Sequence, residues 1–382
     1  MTGNPWTNGP IGLRAASRIT RAGCRVVLVV VPHVVAGTRL VDLLPLLEAD
    51  HRVQVLFTVE GSTHGTAEFV RDLGGHVLPW EQAIRHRFDL VLAASFRGLD
   101  QLHGKIMVVP HGAGALKSRS RSPEPGRVAA HGLSREQLVR DGRVVPSAIV
   151  LAHRDELDAL RESCPEAAPA AVVAGDLCLD RVLASEPYRE HYRRALGVLP
   201  GESLVTVSSS WTTHSTFGAH IGLYRRLLDT GHRVAAVLHP NIWSVHGARQ
   251  VRAWLPEGLL VLPPEEGWRA AVVAADVVVG DFGSTTQYAA ALGRPILLVP
   301  VPAILIRPGS PADLVYRGAP VLDPVAPRLD AAVAVPGLAR AISSCPGGAG
   351  AATRRAAYRL LDLPEPARAV PVSPVAVPRA LG

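Results

Sequence analysis

The sequence predicts an α/β protein built from two Rossmann-like, doubly wound domains. Three observations predict this fold. Short apolar segments of strand length alternate with segments of helical periodicity along most of the chain, and the alternation starts again after residue 186. Polar turns rich in Gly, Ser and His follow several of the predicted strands. Because the carboxyl ends of parallel strands meet at one edge of a sheet, these turns are expected to line a ligand cleft between the domains.

The first half of the chain is predicted to form seven short, apolar strands. They cover residues 25–32, 53–59, 76–79, 88–94, 105–109, 148–151 and 171–174. Between them, apolar residues recur every three or four positions and predict helices over residues 38–48, 66–73 and 155–161. A loop rich in Ser, Arg, Pro and Gly follows the fifth strand and runs to about residue 126.

The second half repeats the pattern. Its predicted strands cover residues 203–207, 233–238, 258–262, 276–280 and 295–301. Helices are predicted over residues 217–229, up to Trp254, over residues 288–292 and over residues 351–361. The unit of strand, polar turn, helix and strand over residues 276–301 is the pattern of a βαβ crossover.

These elements predict four regions, with a linker near residues 175–186. They are a basic N-terminal arm over residues 1–23, a first domain over 24–180, a second domain over 186–361, and a Pro- and Ala-rich tail over 362–382 that is expected to be poorly ordered. From Ile11 onward the arm has the pattern of a short basic helix. It is interpreted either as a solvated helix or as a surface that contacts anionic lipid.

The composition favours anionic partners. The 382 residues carry a net charge of +7, almost all of it from Arg, since Lys105 and Lys117 are the only lysines. Phosphorylated substrates and a lipid surface fit this charge, whereas no nucleic-acid-binding module appears, so nucleic acid is not expected as a partner. No apolar run reaches the roughly 18 residues that a membrane span needs, and no compact signal peptide is present, so a cytoplasmic protein is expected. The four cysteines are scattered and predict neither a zinc site nor a disulfide framework.

A polar turn follows the predicted strand over residues 276–280. It is made of small and polar residues, namely Asp281, Gly283, Ser284, Thr285, Thr286 and Gln287. The helix that follows begins with unpaired N–H groups, which hydroxyl side chains can cap or which can bind a phosphate.

Two more polar loops follow strand ends in the same half. One contains Ser208, Ser209, Ser210 and Thr212, and the other begins at His239. If the three loops converge at one sheet edge, they can surround a diphosphate, with His239 donating to a phosphate oxygen and taking part in catalysis. The alternatives are a polar turn that only caps a helix and a core histidine that a backbone carbonyl holds.

His111 is the candidate general base. It follows a predicted strand in the first half, and Gly112 after it would let a ligand approach the backbone. Substitution at phosphorus or at an anomeric carbon needs a hydroxyl nucleophile that loses its proton, and an imidazole with an ordinary pKa of about 6.5 can accept it. Lys117 and Arg119 could hold an anionic substrate. The alternative is a structural turn with a solvated histidine.

Several of these residues belong to short motifs that occur in a recognisable order. The motifs are His111-Gly112 with Leu116-Lys117, Gly175 with Asp180, Ser210-Trp211, His239-Pro240, and Asp281 to Thr285 beside Gly293-Arg294-Pro295. In this order they resemble motifs of the CDP-glycerol glycerophosphotransferase family, the teichoic-acid primases and polymerases. The resemblance covers roughly residues 105–300.

The resemblance implies a transferase with two Rossmann-like domains of the GT-B type. It implies an acceptor domain followed by a nucleotide-donor domain. His111 would act as general base, and His239, Ser284 and Thr285 would hold the donor diphosphate. It also implies that the donor site needs no metal and no cofactor beyond the CDP- or UDP-linked donor itself.

The chain departs from the family pattern at three positions and by one extra residue between His111 and Leu116-Lys117. Pro110 stands where the family has Trp, and Leu177 stands where it has Pro. Seven residues before Pro295 the family has an acidic residue, whereas this chain has Tyr288, with Gln287 as the nearest polar neighbour.

The sequence is therefore compatible with three functions. The first is transfer of a glycerophosphate or related group from a CDP-activated donor to a hydroxyl acceptor. The second is a UDP-sugar glycosyltransferase or a UDP-GlcNAc 2-epimerase-like enzyme, for which the same Gly-Ser-Thr turn would serve. The third is a catalytically inactive nucleotide-binding regulator, which the absent carboxylate at Tyr288 favours.

Overall fold

A computed structural model of the chain describes residues 6–12, 15–61, 63–115, 132–370 and 372–381. Its strands, numbered in chain order, are β1 Arg25–Val30, β2 Val53–Thr58, β3 Val77–Leu78, β4 Arg87–Ala93, β5 His103–Val108, β6 Val139–Arg140, β7 Arg143–Val144, β8 Ala148–Leu151, β9 Ala171–Val173, β10 Leu204–Ser209, β11 Arg233–Leu238, β12 Leu260–Val261, β13 Val277–Gly280 and β14 Ile296–Leu298.

The α-helices are numbered in the same way. They are α1 Val34–Val41, α2 Thr66–Asp72, α3 Trp80–Ala83, α4 Arg135–Leu138, α5 Arg154–Ser163, α6 Leu177–Ala184, α7 Arg189–Ala195, α8 Thr216–Ala219, α9 Leu223–Asp229, α10 Pro240–His246, α11 Ala248–Trp254, α12 Trp268–Ala274, α13 Ser284–Ala291, α14 Pro311–Gly318, α15 Leu338–Ile342 and α16 Ala349–Leu361.

The described residues divide into two compact units. The first unit comprises those within Met1–His111, Gly132–Ala174 and Gly348–Val370, and the second comprises those within Gly112–His131, Gly175–Gly347 and Pro371–Gly382. Each unit is organised around one parallel sheet, and a short antiparallel pair, β6 with β7, stands apart from both.

The first unit contains a seven-stranded sheet in the order β3-β2-β1-β4-β5-β8-β9. Its strands are parallel, with Val27 aligned to Val55 on one side and to Leu90 on the other. The central strands are continuous apolar runs because helices cover both faces of a parallel sheet. Leu28 and Val91 are fully buried in this core.

The second unit contains a five-stranded parallel sheet in the order β12-β11-β10-β13-β14. Val205 of β10 aligns with Val234 of β11 and with Val277 of β13. In both sheets the strand order reverses once, between β1 and β4 and between β10 and β13. In open parallel sheets, ligands bind beyond the carboxyl ends of the strands at such a reversal, so a ligand site is expected at the loops after these four strands.

The structure corrects the predicted domain boundaries. The sequence placed helix α16 in the second domain, over residues 186–361, but the helix packs in the first unit. There the Tyr358 hydroxyl donates to Asp50 Oδ2 at 2.8 Å, and Lys105 Nζ donates to the Leu360 carbonyl at 2.7 Å. The predicted linker near residues 175–186 contains the buried helix α6 and belongs to the second unit.

The C-terminal tail was expected to be poorly ordered, and the structure shows otherwise. Val375 is buried in the second unit, its N–H donates to Ser185 Oγ at 2.9 Å, and its carbonyl accepts from the Tyr192 hydroxyl at 2.9 Å. Leu381 N–H donates to the Val261 carbonyl at the sheet edge. These contacts hold a Pro-rich segment that has no regular structure of its own.

Replacing Val375 by alanine is therefore expected to lower the free energy of unfolding by about 2 kcal/mol, because two buried methyl groups are lost. Val377 lies in the same tail but is 49% exposed, so Val377→Ala should have almost no effect. Chemical denaturation followed by circular dichroism measures both. Equal stabilities of the two variants would show that the tail does not dock as described.

The N-terminal arm also differs from its prediction. In its described part, residues 6–12 and 15–23, a single 3-10 turn at Ala15–Ser17 replaces the predicted basic helix. Ile11 is buried in the core of the first unit, and Thr7 N–H donates to Gln82 Oε1 at 2.9 Å. No helix within the described ranges is long and apolar enough to cross a membrane.

Two helices begin or break at positions that the periodicity did not predict. The helix predicted over residues 38–48 starts four residues earlier, because His33 caps it and accepts from Ala36 N–H, and it gives way to a 3-10 turn at Leu44–Leu46 that contains Pro45. The helix predicted over residues 217–229 is divided into α8 and α9. Gly222 lies at this break, where its low helix propensity favours an interruption.

Candidate functional site

The polar loops after β10 and β13 are joined by Asp281. Its Oδ2 accepts from Ser210 N–H at 2.8 Å, from Ser210 Oγ at 2.9 Å and from Thr216 N–H at 3.2 Å, and its Oδ1 accepts from Gly283 N–H at 2.9 Å. The side chain is fully buried. One carboxyl group therefore sets the positions of both loops at the strand-order reversal of the second sheet.

Burial has an electrostatic consequence at Asp281. Removal from water disfavours the charged form and raises the pKa of the carboxyl above its ordinary value, while the hydrogen bonds from Ser210, Gly283 and Thr216 act in the opposite direction. Because its hydrogen-bonding positions are occupied within the protein, Asp281 acts as a positioning residue and does not contact a ligand itself.

Helix α13 begins directly beyond this carboxyl group. Its N-cap is Gly283, which provides no side-chain hydrogen bond to the first turn. Gly280, at the end of β13, allows the strand to approach the helix closely, since a Cβ atom there would lie 2.3 Å from Thr286 Oγ1. Ser284 and Thr285 are half-buried, and Ser284 Oγ accepts from Ala113 N–H at 3.1 Å. The first turn of α13 can thus present backbone N–H groups and hydroxyls to an anion.

His239 caps helix α10 after β11. Its Nδ1 accepts from Asn241 N–H at 3.1 Å, so the neutral ring carries its proton on Nε2. His239 is half-buried at the start of this helix.

Trp211 is an aromatic neighbour of His239 that was not among the predicted site residues. Its ring lies 6.3 Å from the His239 ring, centroid to centroid, and the residue is 55% exposed. An exposed tryptophan beside polar loops is a surface on which a flat or sugar ring can stack. Its position in the Ser210-Trp211 motif was the signal that could have identified it.

Other predicted donor-binding residues are buried. Ser208 and Ser209 lie inside β10, where Ser209 Oγ accepts from Phe217 N–H at 2.8 Å, and Thr286 is inaccessible in α13. These three side chains support the loops and are not placed to contact a ligand. Thr212 is half-buried as a residue, but its hydroxyl oxygen is buried and has no hydrogen-bond partner among the described residues.

Gln287 is buried and borders a cavity of about 10 Å³, which has room for about one water molecule. Its Nε2 donates to the Phe282 carbonyl at 3.1 Å, whereas its Oε1 has no hydrogen-bond partner in the part of the chain that the structure describes. Phe282 and Tyr316 also border this cavity, whose wall is otherwise largely apolar. Gln287 thus keeps one buried acceptor unpaired among the described residues, beside this cavity.

Tyr288 occupies the helix position where the resembling family has an acidic residue. Its hydroxyl donates to the buried carboxylate of Asp176 at 2.7 Å, and its ring packs 5.7 Å from that of Trp268. The position faces the core of the second unit. An acidic side chain here would meet Asp176, so the tyrosine fits this interior and contributes nothing to the loop surface.

In the first unit, His111 lies beyond the end of β5. Its Nδ1 is 2.7 Å from the Ala94 carbonyl oxygen, which can only accept, so the proton of the neutral ring is on Nδ1. Nε2 then carries the lone pair that a general base needs. His111 therefore has the tautomer that the predicted general base requires.

The structure describes only one of the three substrate-binding residues that were predicted beside His111. Gly112 is buried, and its carbonyl accepts from Gly114 N–H at 2.8 Å, so it forms a tight turn and is not open to a ligand. Lys117 and Arg119 lie outside the described residues, as does Leu116. Within the described ranges no three His, Cys, Asp or Glu side chains are grouped as metal ligands, and a metal-free donor site stays a prediction.

Comparison with known proteins identifies the fold. No protein-family model matches the sequence, and no curated protein is similar to it. The wall teichoic acid polymerase TagF, as a histidine-to-asparagine variant soaked with CDPG, superposes with a TM-score of 0.56 and 11% identity over 88% of both chains. The protein has the GT-B glycosyltransferase fold. HepE of Anabaena, in complex with UDP and glucose, gives a TM-score of 0.49 and 16% identity over 88% of this chain and 99% of that one.

Proposed function

We propose that the protein is a GT-B transferase that moves a glycerophosphate or related group from a CDP-activated donor to a hydroxyl acceptor. The observation that carries this proposal is the joining of the loops after β10 and β13 by the buried Asp281, beside an uncapped start of α13. The fold and the order of the short motifs support the same reaction class.

The second unit would hold the donor diphosphate. The first-turn N–H groups of α13, with the hydroxyls of Ser284 and Thr285, would contact phosphate oxygens, and His239 would donate through Nε2. Ser210 and Thr212 border the same sheet edge. Hydrogen bonds to a charged phosphate are worth more than neutral ones, so a few such groups suffice for specific binding.

His111 would activate the acceptor. Its Nε2 takes the hydroxyl proton as the acceptor oxygen forms a bond to the donor's distal phosphorus, and the bond from that phosphorus to the nucleoside monophosphate breaks. The leaving group departs as CMP, whose negative charge the donor-binding groups stabilise. The hydrogen bond from Nδ1 to the Ala94 carbonyl would keep the base in the required tautomer.

A catalytically inactive nucleotide-binding protein is the second candidate. One observation favours it: the helix position that carries an acidic residue in the resembling family is Tyr288, which is committed to Asp176 in the core. Such a protein would bind nucleotide through the same loops, but it would show no turnover that a change at His111 could remove.

The donor site is tested by replacing both Ser284 and Thr285 with alanine. Loss of two hydrogen bonds to a charged group is expected to weaken the binding of CDP by about 3 kcal/mol, or roughly a hundredfold in Kd. Isothermal titration calorimetry measures this change. Because Ser284 also accepts from Ala113, Thr285→Ala alone separates ligand binding from loop stability, and Thr230→Ala on exposed surface is the control. Unchanged affinity in the double variant would remove the diphosphate from this site.

A further inference from the structure

His33 and His111 each end a copy of the same four-residue sequence. The tetrapeptide Val-Val-Pro-His occurs at residues 30–33, after β1, and again at residues 108–111, after β5. In a parallel sheet both copies end at the same edge, and β1 borders the strand-order reversal. The repeat therefore brings two imidazoles to the carboxyl edge of the first unit.

The two rings are in contact. Their centroids are 5.6 Å apart and their planes are inclined by 76°, an edge-to-face arrangement. The hydrogen bond from His111 Nδ1 to the Ala94 carbonyl holds one atom of the ring. The neighbouring ring, packed edge to face, restricts rotation of the His111 ring and so contributes to the direction of Nε2.

His33 is itself held in place. Its Nδ1 accepts from Ala36 N–H at 3.2 Å as the N-cap of α1. Burial, together with the nearby positive charge of Arg97, lowers the pKa of His33 below its ordinary value. Arg97 is in turn paired with Glu60 at 2.8 Å. An uncharged His33 does not oppose the positive charge that His111 gains when it accepts a proton.

The geometry points to His33 as a positioning residue for His111, holding the plane of the basic imidazole so that Nε2 faces the acceptor hydroxyl. This inference rests on the proposed function, since it gives His33 a role only if His111 is the base. His33 does not itself contact the reacting atoms.

Two substitutions separate the ring of His33 from its capping role. His33→Asn keeps an oxygen that can cap α1 but removes the ring, whereas His33→Phe keeps a ring but removes the cap. We expect His33→Asn to lower kcat about tenfold with the donor KM unchanged, and His33→Phe to retain kcat within about threefold despite a lower Tm. His103→Asn, on an exposed position of the same sheet, is the matched control.

Imidazole nitrogen NMR gives a readout that does not depend on turnover. The His111 signals, assigned by their loss in His111→Gln, should show the Nδ1–H tautomer in the wild type and in His33→Phe, and should broaden or shift in His33→Asn. Unchanged His111 signals and unchanged kcat in His33→Asn would overturn the inference. Full turnover in His111→Gln would instead reject the proposed function, so the two failures can be told apart.

Discussion

Replacing His111 by alanine is expected to lower turnover by about 10²–10⁴-fold while the donor Kd stays within about twofold. The loss has one cause: the acceptor hydroxyl keeps its proton, because the lone pair on Nε2 is gone. Donor binding is spared because the groups proposed to hold the diphosphate belong to the second unit, whereas His111 belongs to the first. Steady-state kinetics with CDP-glycerol and calorimetry with CDP measure the two quantities separately.

His111→Gln is the matched control for this prediction. Its side-chain amide can still donate to the Ala94 carbonyl, which keeps the local hydrogen bond, but it cannot accept a proton. Both variants should therefore lose turnover while their Tm values remain close to that of the wild type. Full turnover in either variant would refute a general base at this position, and absence of turnover in the wild type with every donor would favour the inactive regulator.

Replacing Asp281 by alanine is expected to have the largest effect on stability. The change would leave the N–H groups of Ser210, Thr216 and Gly283 without their acceptor in a buried environment. A buried unsatisfied polar group costs about 1–3 kcal/mol, so the loss should be about 3–5 kcal/mol after partial relaxation. Donor binding should be lost as well, because the same carboxyl group positions both loops.

Asp281→Asn tests whether hydrogen bonding is the cause. The asparagine keeps one acceptor oxygen, and because burial already disfavours the charged carboxylate, the loss of charge itself should cost little. We expect it to be destabilised by less than half as much as Asp281→Ala in urea denaturation. A stability of Asp281→Ala within 1 kcal/mol of the wild type would show that the loops hold their positions without this residue.

The strands were predictable because buried parallel strands are continuous apolar runs, and the strand over residues 233–238 was located to the residue. The polar loops could be found because they follow those runs directly. Which of the polar side chains are accessible could not be predicted, because the sequence does not show where β10 ends and so does not distinguish Ser208, which is buried in the strand, from Ser210, which is half-buried in the loop.

Long-range contacts explain the other differences. Tyr358 and Asp50 are 308 residues apart in sequence, and no local pattern assigns α16 to the first unit. Similarly, the tail has the composition of a disordered segment but is held by hydrogen bonds from Tyr192 and Arg181. His33 could have been found from the repeated Val-Val-Pro-His tetrapeptide, which is visible in the sequence alone.

The most direct test of the proposed donor site is a thermal-shift panel of CDP-glycerol, CDP, CMP, UDP, UDP-GlcNAc and GDP-sugars. A ligand that binds only the folded state, and is present at a concentration a hundred times its Kd, stabilises the folded protein by about 2.7 kcal/mol. We predict that CDP-glycerol and CDP raise the Tm, that CMP does so far less, and that the Ser284→Ala, Thr285→Ala double variant loses the response. A wild-type protein that no nucleoside diphosphate stabilises would contradict the account.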